Sequence, residues 1–309
     1  MNIVVLMSTY NGEKYIKQQL DSIEQQSVAK KLSLYIRDDG SKDSTIPIIE
    51  TYMNDGNSVN IKLERGRNLG VIASFFELIK NAPEADYYAF ADQDDVWMPD
   101  KIESAVKMLQ AEEQKRGVEI PLLYCGDTNL VDGDLNLIVR ENKNPRPSFG
   151  NALVENICTG CTAVISRALL EKIRENIPNP NNIIMHDWWI YLLAEAYGKT
   201  IFDSEPHMNY RQHGHNEWGV KTTKGAVLKY RIKQLFTKRG QIYRQLEELV
   251  NCIQEDPSIT ARHKSQIRQV LGSEHSFIKK IQLANCSEIY RNDSGRDRVY
   301  RLSLLLGKL

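Results

Sequence analysis

The sequence predicts an α/β fold, Rossmann-like, in which a mostly parallel sheet with flanking helices carries a C-terminal helical extension. Three observations predict it. Through the first half of the chain, apolar runs of strand length alternate with stretches of helical period. Polar and acidic residues stand directly after those runs, where open parallel sheets place their ligand crevice. From Lys221 the texture changes to a basic, amphipathic pattern.

The elements follow in order. "NIVVLMSTY" is a continuous buried-strand run, and "EKYIKQQLDSIEQQ" places Ile16, Leu20 and Ile23 at helical spacing. "LSLYIRDDG" alternates Leu32, Leu34 and Ile36 with other residues, and "TIPIIETYMND" returns to a helix. "VNIKLERG" is the next strand, followed by "VIASFFELIKNA" with Ile72, Phe76 and Ile79 on one face, then "DYYAFAD" as strand. "PDKIESAVKMLQAEEQ" reads as a helix with Asp100 as N-cap and Glu103 completing a capping box. Beyond Lys221, "KTTKGAVLKYRIKQLFTKRGQIYR" carries eight basic residues and no acid, and Leu228, Ile232, Leu235, Ile242, Leu246, Leu249 and Ile253 continue at helical spacing. The division expected is therefore a catalytic domain over 1–220 and a helical region over 221–309.

Composition bounds the function. The chain has 309 residues, 41% of them hydrophobic, enough for a large core. Forty basic residues balance forty acidic ones, which argues against nucleic acid as partner. Five cysteines, Cys125, Cys158, Cys161, Cys252 and Cys286, are an odd number spread over a long chain, which does not read as a disulfide framework, and a reducing compartment is expected. "MNIVVLMSTY" lacks the basic start and cleavage site of a signal peptide, and no run reaches the roughly 18 to 20 apolar residues of a membrane span. A cytoplasmic protein is the expectation.

The residues after the strands carry the chemistry. Asp92, Asp94 and Asp95 crowd the end of one apolar run. Clustered carboxylates repel one another unless a cation sits among them, and Mg²⁺ or Mn²⁺ typically bridges one or two carboxylates to a substrate diphosphate. The plainer alternative is a polar loop leading into a helix. Cys158 and Cys161 form a C-x-x-C without a second pair at zinc spacing, so two reduced thiols are expected.

"MSTYNGEKYIKQQLDSI", "IRDDGSKDST", "RNLG" and "ADQDD", followed by "TGCTAVISRALL", "HDWWIYLLA" and "YRQHGHN", resemble in order and spacing the family 2 glycosyltransferases of GT-A fold, especially bacterial rhamnosyltransferase-like members. The resemblance covers about residues 2–216. It implies a nucleotide site formed by Thr9, Tyr10, Asn11, Asp39, Arg65, Asn68 and Asp92, with Gly70 allowing close backbone approach. It implies Asp94 as principal metal ligand with Asp92 and His213, and a Mn²⁺ or Mg²⁺ cofactor. Asp187 matches the base that deprotonates the acceptor, which implies inversion, while Asp95, Gly160, Trp188 and Trp189 fall on the sugar and acceptor side. Arg211 and His215 are further candidates near the diphosphate. For Thr9, Asn11 and Asp187 helix capping is the alternative role, and for the two tryptophans it is core packing.

The donor implied is dTDP-L-rhamnose, with UDP-hexoses as the alternative, and the acceptor a bacterial surface polysaccharide or lipid-linked oligosaccharide. A non-catalytic nucleotide-binding relic and a metal-dependent phosphohydrolase are rival readings. The basic tail fits peripheral contact with the inner face of the cell membrane; packing on the catalytic domain or on a second copy in a homodimer is the alternative.

Overall fold

The computed structural model describes residues 1–212, 240–253 and 255–308. The described chain runs β1 (Ile3–Thr9), α1 (Ile16–Glu24), β2 (Leu32–Asp38), α2 (Thr45–Asn54), β3 (Asn60–Arg65), α3 (Val71–Asn81), β4 (Tyr87–Ala91), β5 (Val96–Trp97) and α4 (Lys101–Arg116). It continues through β6 (Leu122–Gly126), β7 (Asn129–Val131), β8 (Leu137–Arg140), α5 (Phe149–Ala152), β9 (Val164–Ser166), α6 (Arg167–Glu175) and α7 (His186–Tyr197). After β10 (Lys199–Asp203) and β11 (Met208–Arg211) come α8 (Gln241–Ile253), α9 (Ala261–Gly272), α10 (Phe277–Ala284) and α11 (Ser294–Leu305).

A seven-stranded sheet has the order β10-β6-β9-β4-β1-β2-β3, and all its strands are parallel except β9, which runs antiparallel to both β4 and β6. β1 reads as an unbroken apolar run because both faces of the sheet are covered. Ile3, Val5 and Met7 pack with α1, α2 and α4, while Val4 and Leu6 point into the other layer with α3, α6 and α7. A smaller sheet, β5-β11-β7-β8, flanks the first.

The helix α3 buries Phe75, Phe76, Leu78 and Ile79, so the core-facing stripe is wider than Ile72, Phe76 and Ile79 alone, and Ile72 lies at its edge. Each such side chain contributes roughly 1.5–3 kcal/mol when fully buried. The capping box at α4 does not form. Asp100 occupies the N-cap position without a capping bond; its carboxylate meets His207 Nδ1 at 3.0 Å, and Glu103 accepts from Ser27 Oγ at 2.7 Å. Long-range partners outcompete the local motif.

In the C-terminal part, Ile242, Leu246, Leu249 and Ile253 of α8 are buried as the spacing predicts, in the same cluster as Phe149, Ile190 and Leu193. Tyr300 and Leu304 of α11 join it. The apolar core thus runs without a break across the expected boundary at residue 220. Leu228, Ile232, Leu235 and most of the basic stretch lie outside the described residues. No helix among the described residues is long and apolar enough to cross a membrane.

Candidate functional site

The carboxyl ends of β1, β2 and β3 are level, with Thr9 opposite Asp38 and Asp38 opposite Arg65, and the acidic loop follows β4 beside them. The loops after β1 and β2 are knitted together. Asp38 accepts from Thr9 Oγ1 (2.9 Å) and from the backbone N–H groups of Gly40 and Ser41. Asn11, at φ +48°, donates its N–H to Ser41 Oγ and accepts from Lys42 N. Neither Thr9 nor Asn11 caps a helix, since α1 starts only at Ile16. Tyr10, between them, is 44% exposed. Gln93, from the acidic loop, bonds both ways to the Tyr10 backbone at 2.9 Å, and any side chain at Gly12 would collide with it, a Cβ meeting Gln93 Oε1 at 2.3 Å.

Asp39 is turned inward. Its carboxylate pairs with Arg37 and accepts from the N–H groups of Leu69 (2.8 Å) and Gly70 (2.9 Å), and Arg37 also donates to Arg67 O and Ser74 Oγ. It therefore fixes the loop carrying Arg67 and Asn68, both exposed, while Gly70 at φ +83° adopts the left-handed backbone that favours glycine where α3 begins. Arg65 is exposed at the rim and paired with Glu50.

In the acidic loop, Asp92 and Asp94 are partly exposed and Asp95 is fully buried. Ligand atoms of Asp92, Asp95 and Cys161 lie within 4.8 Å of one another. Asp95 Oδ1 accepts from Arg211 N (3.1 Å), whereas Oδ2 has no hydrogen-bond partner among the described residues. Burial, then Asp94 and Asp92, push the Asp95 carboxyl well above the usual range, and burial likewise raises the Cys161 thiol. An orphaned buried carboxylate oxygen beside a second carboxylate fits a hard divalent cation; a protonated thiol does not add a ligand to it. Asp92 and Asp95 thus converge on one point, a pairing the D-x-D pattern of Asp92 and Asp94 does not announce.

Arg211 lies beneath the acidic loop. It is buried, with Nε donating to Asp94 O (2.8 Å), Nη2 to Gln18 Oε1 (2.6 Å) and Nη1 to Gly133 O, so it shapes the acidic loop from behind. Behind the same loop, Lys101 is buried with no hydrogen-bond partner for its ammonium among the described residues, 3.9 Å above the Trp97 ring. Burial lowers its pKa to about 8, and Cys161 and Asp95 oppose that shift. Lys101, Gln93 and the Asp95–Cys161 contact escape sequence reading. A lysine at the start of a helix gives no sign that its side chain turns inward.

Across from that loop, Asp187 sits in the first turn of α7, whose N-cap is Met185. Its carboxylate accepts from Trp188 N (2.7 Å) and from Gly160 N (3.1 Å). Gly160 opens a single 3-10 turn, Gly160–Thr162, and a Cβ there would approach His186 Nε2 to 3.1 Å. That turn links the two halves of the site: Gly160 holds Asp187, and the next residue, Cys161, lies against Asp95. Burial raises the Asp187 carboxyl to about 7 against the lowering effect of its two N–H donors. His186 beside it is buried, stacked on Phe75 at 4.1 Å, and held neutral by burial with a pKa of about 3.

The two tryptophans separate. Trp188 is half-buried, its indole N–H on Ala152 O (2.7 Å). Trp189, expected on the acceptor side, is instead a core residue, fully buried with its indole N–H on Asn176 O; the helical turn rotates it away from Asp187. His213 and His215 lie outside the described residues.

Residues 4–174 match the model of glycosyl transferase family 2. The chain is similar to a dTDP-rhamnosyl transferase, RfbG, of Shigella flexneri, 31% identical over 264 residues, which covers 81% of this chain and 85% of that one. Among solved structures it resembles S. aureus TarS residues 1–349 in complex with UDP, with TM-score 0.60 and 18% identity over 89% of this chain and 72% of that one. It also resembles the mannosyltransferase PcManGT from Pyrobaculum calidifontis in complex with GDP-Man and Mn2+, with TM-score 0.51 and 13% identity over 99% and 86% of the two chains.

Proposed function

The chain belongs to glycosyl transferase family 2 and has a GT-A fold, and from this premise we propose that it is an inverting rhamnosyltransferase. It would move L-rhamnose from dTDP-L-rhamnose to a bacterial surface polysaccharide or lipid-linked oligosaccharide. The likeness to a relative named as a dTDP-rhamnosyl transferase supports the donor.

The observation that carries the mechanism is the Gly160–Thr162 turn, which ties Asp187 to the acidic loop through two adjacent residues. In this reading the nucleotide lies across the knitted loops after β1 and β2, with Tyr10 against the base. Thr9, Asn11 and Asp39 support the site by holding those loops, Asn68 and Arg65 line its rim, and Asp92 reaches the ribose. Asp92 and Asp94, with Asp95 in support and His213 as a further ligand, would hold Mg²⁺ or Mn²⁺, which neutralises the departing diphosphate when bound. Asp187 takes the proton of the acceptor hydroxyl as that oxygen attacks the anomeric carbon from the face opposite the diphosphate. One displacement inverts the anomeric configuration. Gly160 orients the base, and Trp188 borders the acceptor.

A nucleotide panel tests the donor. Thermal shift with UDP, dTDP, GDP and ADP, each with and without Mn²⁺ or Mg²⁺, should show dTDP as the strongest stabiliser and only with metal, since a ligand selective for the folded state raises Tm. At 100 times the dissociation constant the gain is about 2.7 kcal/mol. Preference for UDP would move the donor to a UDP-hexose; indifference to metal would remove the cation.

A further inference from the structure

Five of the thirteen large apolar side chains exposed among the described residues lie on α10 and α11, namely Phe277, Ile278, Ile281, Val299 and Leu302, and a sixth, Leu306, follows directly after α11; all six are between 42% and 70% exposed. On each helix they share a face, at spacings of one and four on α10 and three on α11, and Leu306 continues that stripe just past the end of α11. The two helices are packed together. Arg301 of α11 donates to Ala284 O at the end of α10, and a Cβ on Gly307 would come within 3.2 Å of Lys280 Nζ, so α11 runs back along α10.

The pair is also basic. The two helices hold five basic residues, Lys279, Lys280, Arg296, Arg298 and Arg301, against one acid, Asp297, which Arg301 already neutralises at 2.6 Å. Lys279, Lys280, Arg296 and Arg298 form no ion pair among the described residues. Exposed apolar side chains interleaved with unneutralised cations suit an anionic lipid surface, where apolar residues enter the acyl boundary and each basic residue adds roughly fivefold in partition. A second copy suits it poorly, because a symmetric contact would bring two such basic faces together.

The segment joining the two helices is fastened to the acceptor side. Tyr290 bonds through its hydroxyl to Ser148 Oγ (3.1 Å) and through its carbonyl to Asn151 Nδ2 (2.9 Å), and Asn292 N donates to Glu155 (2.7 Å), all upstream of the Gly160 turn. We propose that the α10–α11 face docks on an anionic membrane leaflet and holds the acceptor side of the enzyme beside lipid-anchored substrate. This surface differs from the basic stretch after Lys221 and stands apart from the donor reading, so nucleotide binding serves as an internal control.

Vesicle flotation tests the proposal, using the full chain with phosphatidylcholine vesicles that contain or lack phosphatidylglycerol. Wild type should float only with the anionic vesicles and release in high salt. Ile278→Asp with Leu302→Asp should lower partition at least tenfold, as should Lys279→Glu with Lys280→Glu, which alters surface charge without touching the core. Nucleotide binding should persist in both. Unchanged flotation of both variants would overturn the proposal, as would a wild type that fails to float with anionic vesicles. A concentration-dependent dimer in sedimentation that Ile278→Asp with Leu302→Asp dissolves, without vesicle binding, would assign the face to a second copy instead.

Discussion

Asp187 shows what one carboxylate gains from its surroundings. Burial lifts its pKa to about 7, well above the usual carboxylate range, which raises its affinity for a proton near neutral pH. On the proposal that the ionised form is the base, turnover should fall as pH drops through about 7 and reach a plateau above it, in a pH series of kcat for sugar transfer. Asp187→Asn should reduce kcat at least about 100-fold while nucleotide binding by calorimetry stays within error. Near-normal turnover would remove Asp187 from the base position. Sequence singles this residue out because it stands in a long ordered motif; its environment was not legible. Nothing in "HDWW" indicates that His186 is neutral and stacked on Phe75, or that Trp188 and Trp189 part company one turn into the helix. Likewise, the inward turn of Asp39 depends on Arg37 and on a loop 30 residues away, partners that spacing does not reveal.

At the level of elements, the strands and helices of the first half follow from apolar period alone, since β1, β2 and β4 are covered on both faces, the edge strand β3 on one, and each helix on one. What failed was local end chemistry: the capping box at α4 yields to His207 and Ser27, contributed by distant parts of the chain. Further along the same helix, Glu112 joins α4 to β10. Its carboxylate receives Lys199 Nζ (2.9 Å) and Arg116 Nε (2.5 Å), which hold its pKa down at about 2 against 4.5. A carboxyl lowered in the folded state stabilises above its unfolded pKa and loses that contribution as pH falls. Glu112→Gln should therefore cost about 1 kcal/mol at pH 7, the upper range for solvent-screened pairs. In urea melts the gap from wild type should close between about pH 4.5 and pH 2; a gap independent of pH would point to packing instead.

For the molecule as a whole, α8 is part of the catalytic scaffold. Gln245 Oε1 accepts from Ile184 N (2.9 Å) and Glu248 from Asn179 N (2.7 Å), which steadies the segment leading into Asp187. Helical period announced α8, yet the direction its apolar face would turn was open, because membrane, partner and core all ask for the same stripe. Ending the chain before Gln241 would strip Leu246, Leu249, Tyr300 and Leu304 from the shared core. At roughly 1.5–3 kcal/mol each, the loss rivals the 5–15 kcal/mol that holds a typical domain folded. The truncated chain should lose its cooperative thermal transition in circular dichroism, and a well-folded, nucleotide-binding fragment would instead establish the division at residue 220. Continuity of the core also bears on how such enzymes diversify. Recombining two relatives at residue 220 would pair helices with a scaffold they never evolved against, so new acceptor preferences should arise by coordinated drift of both parts rather than by exchange of tails.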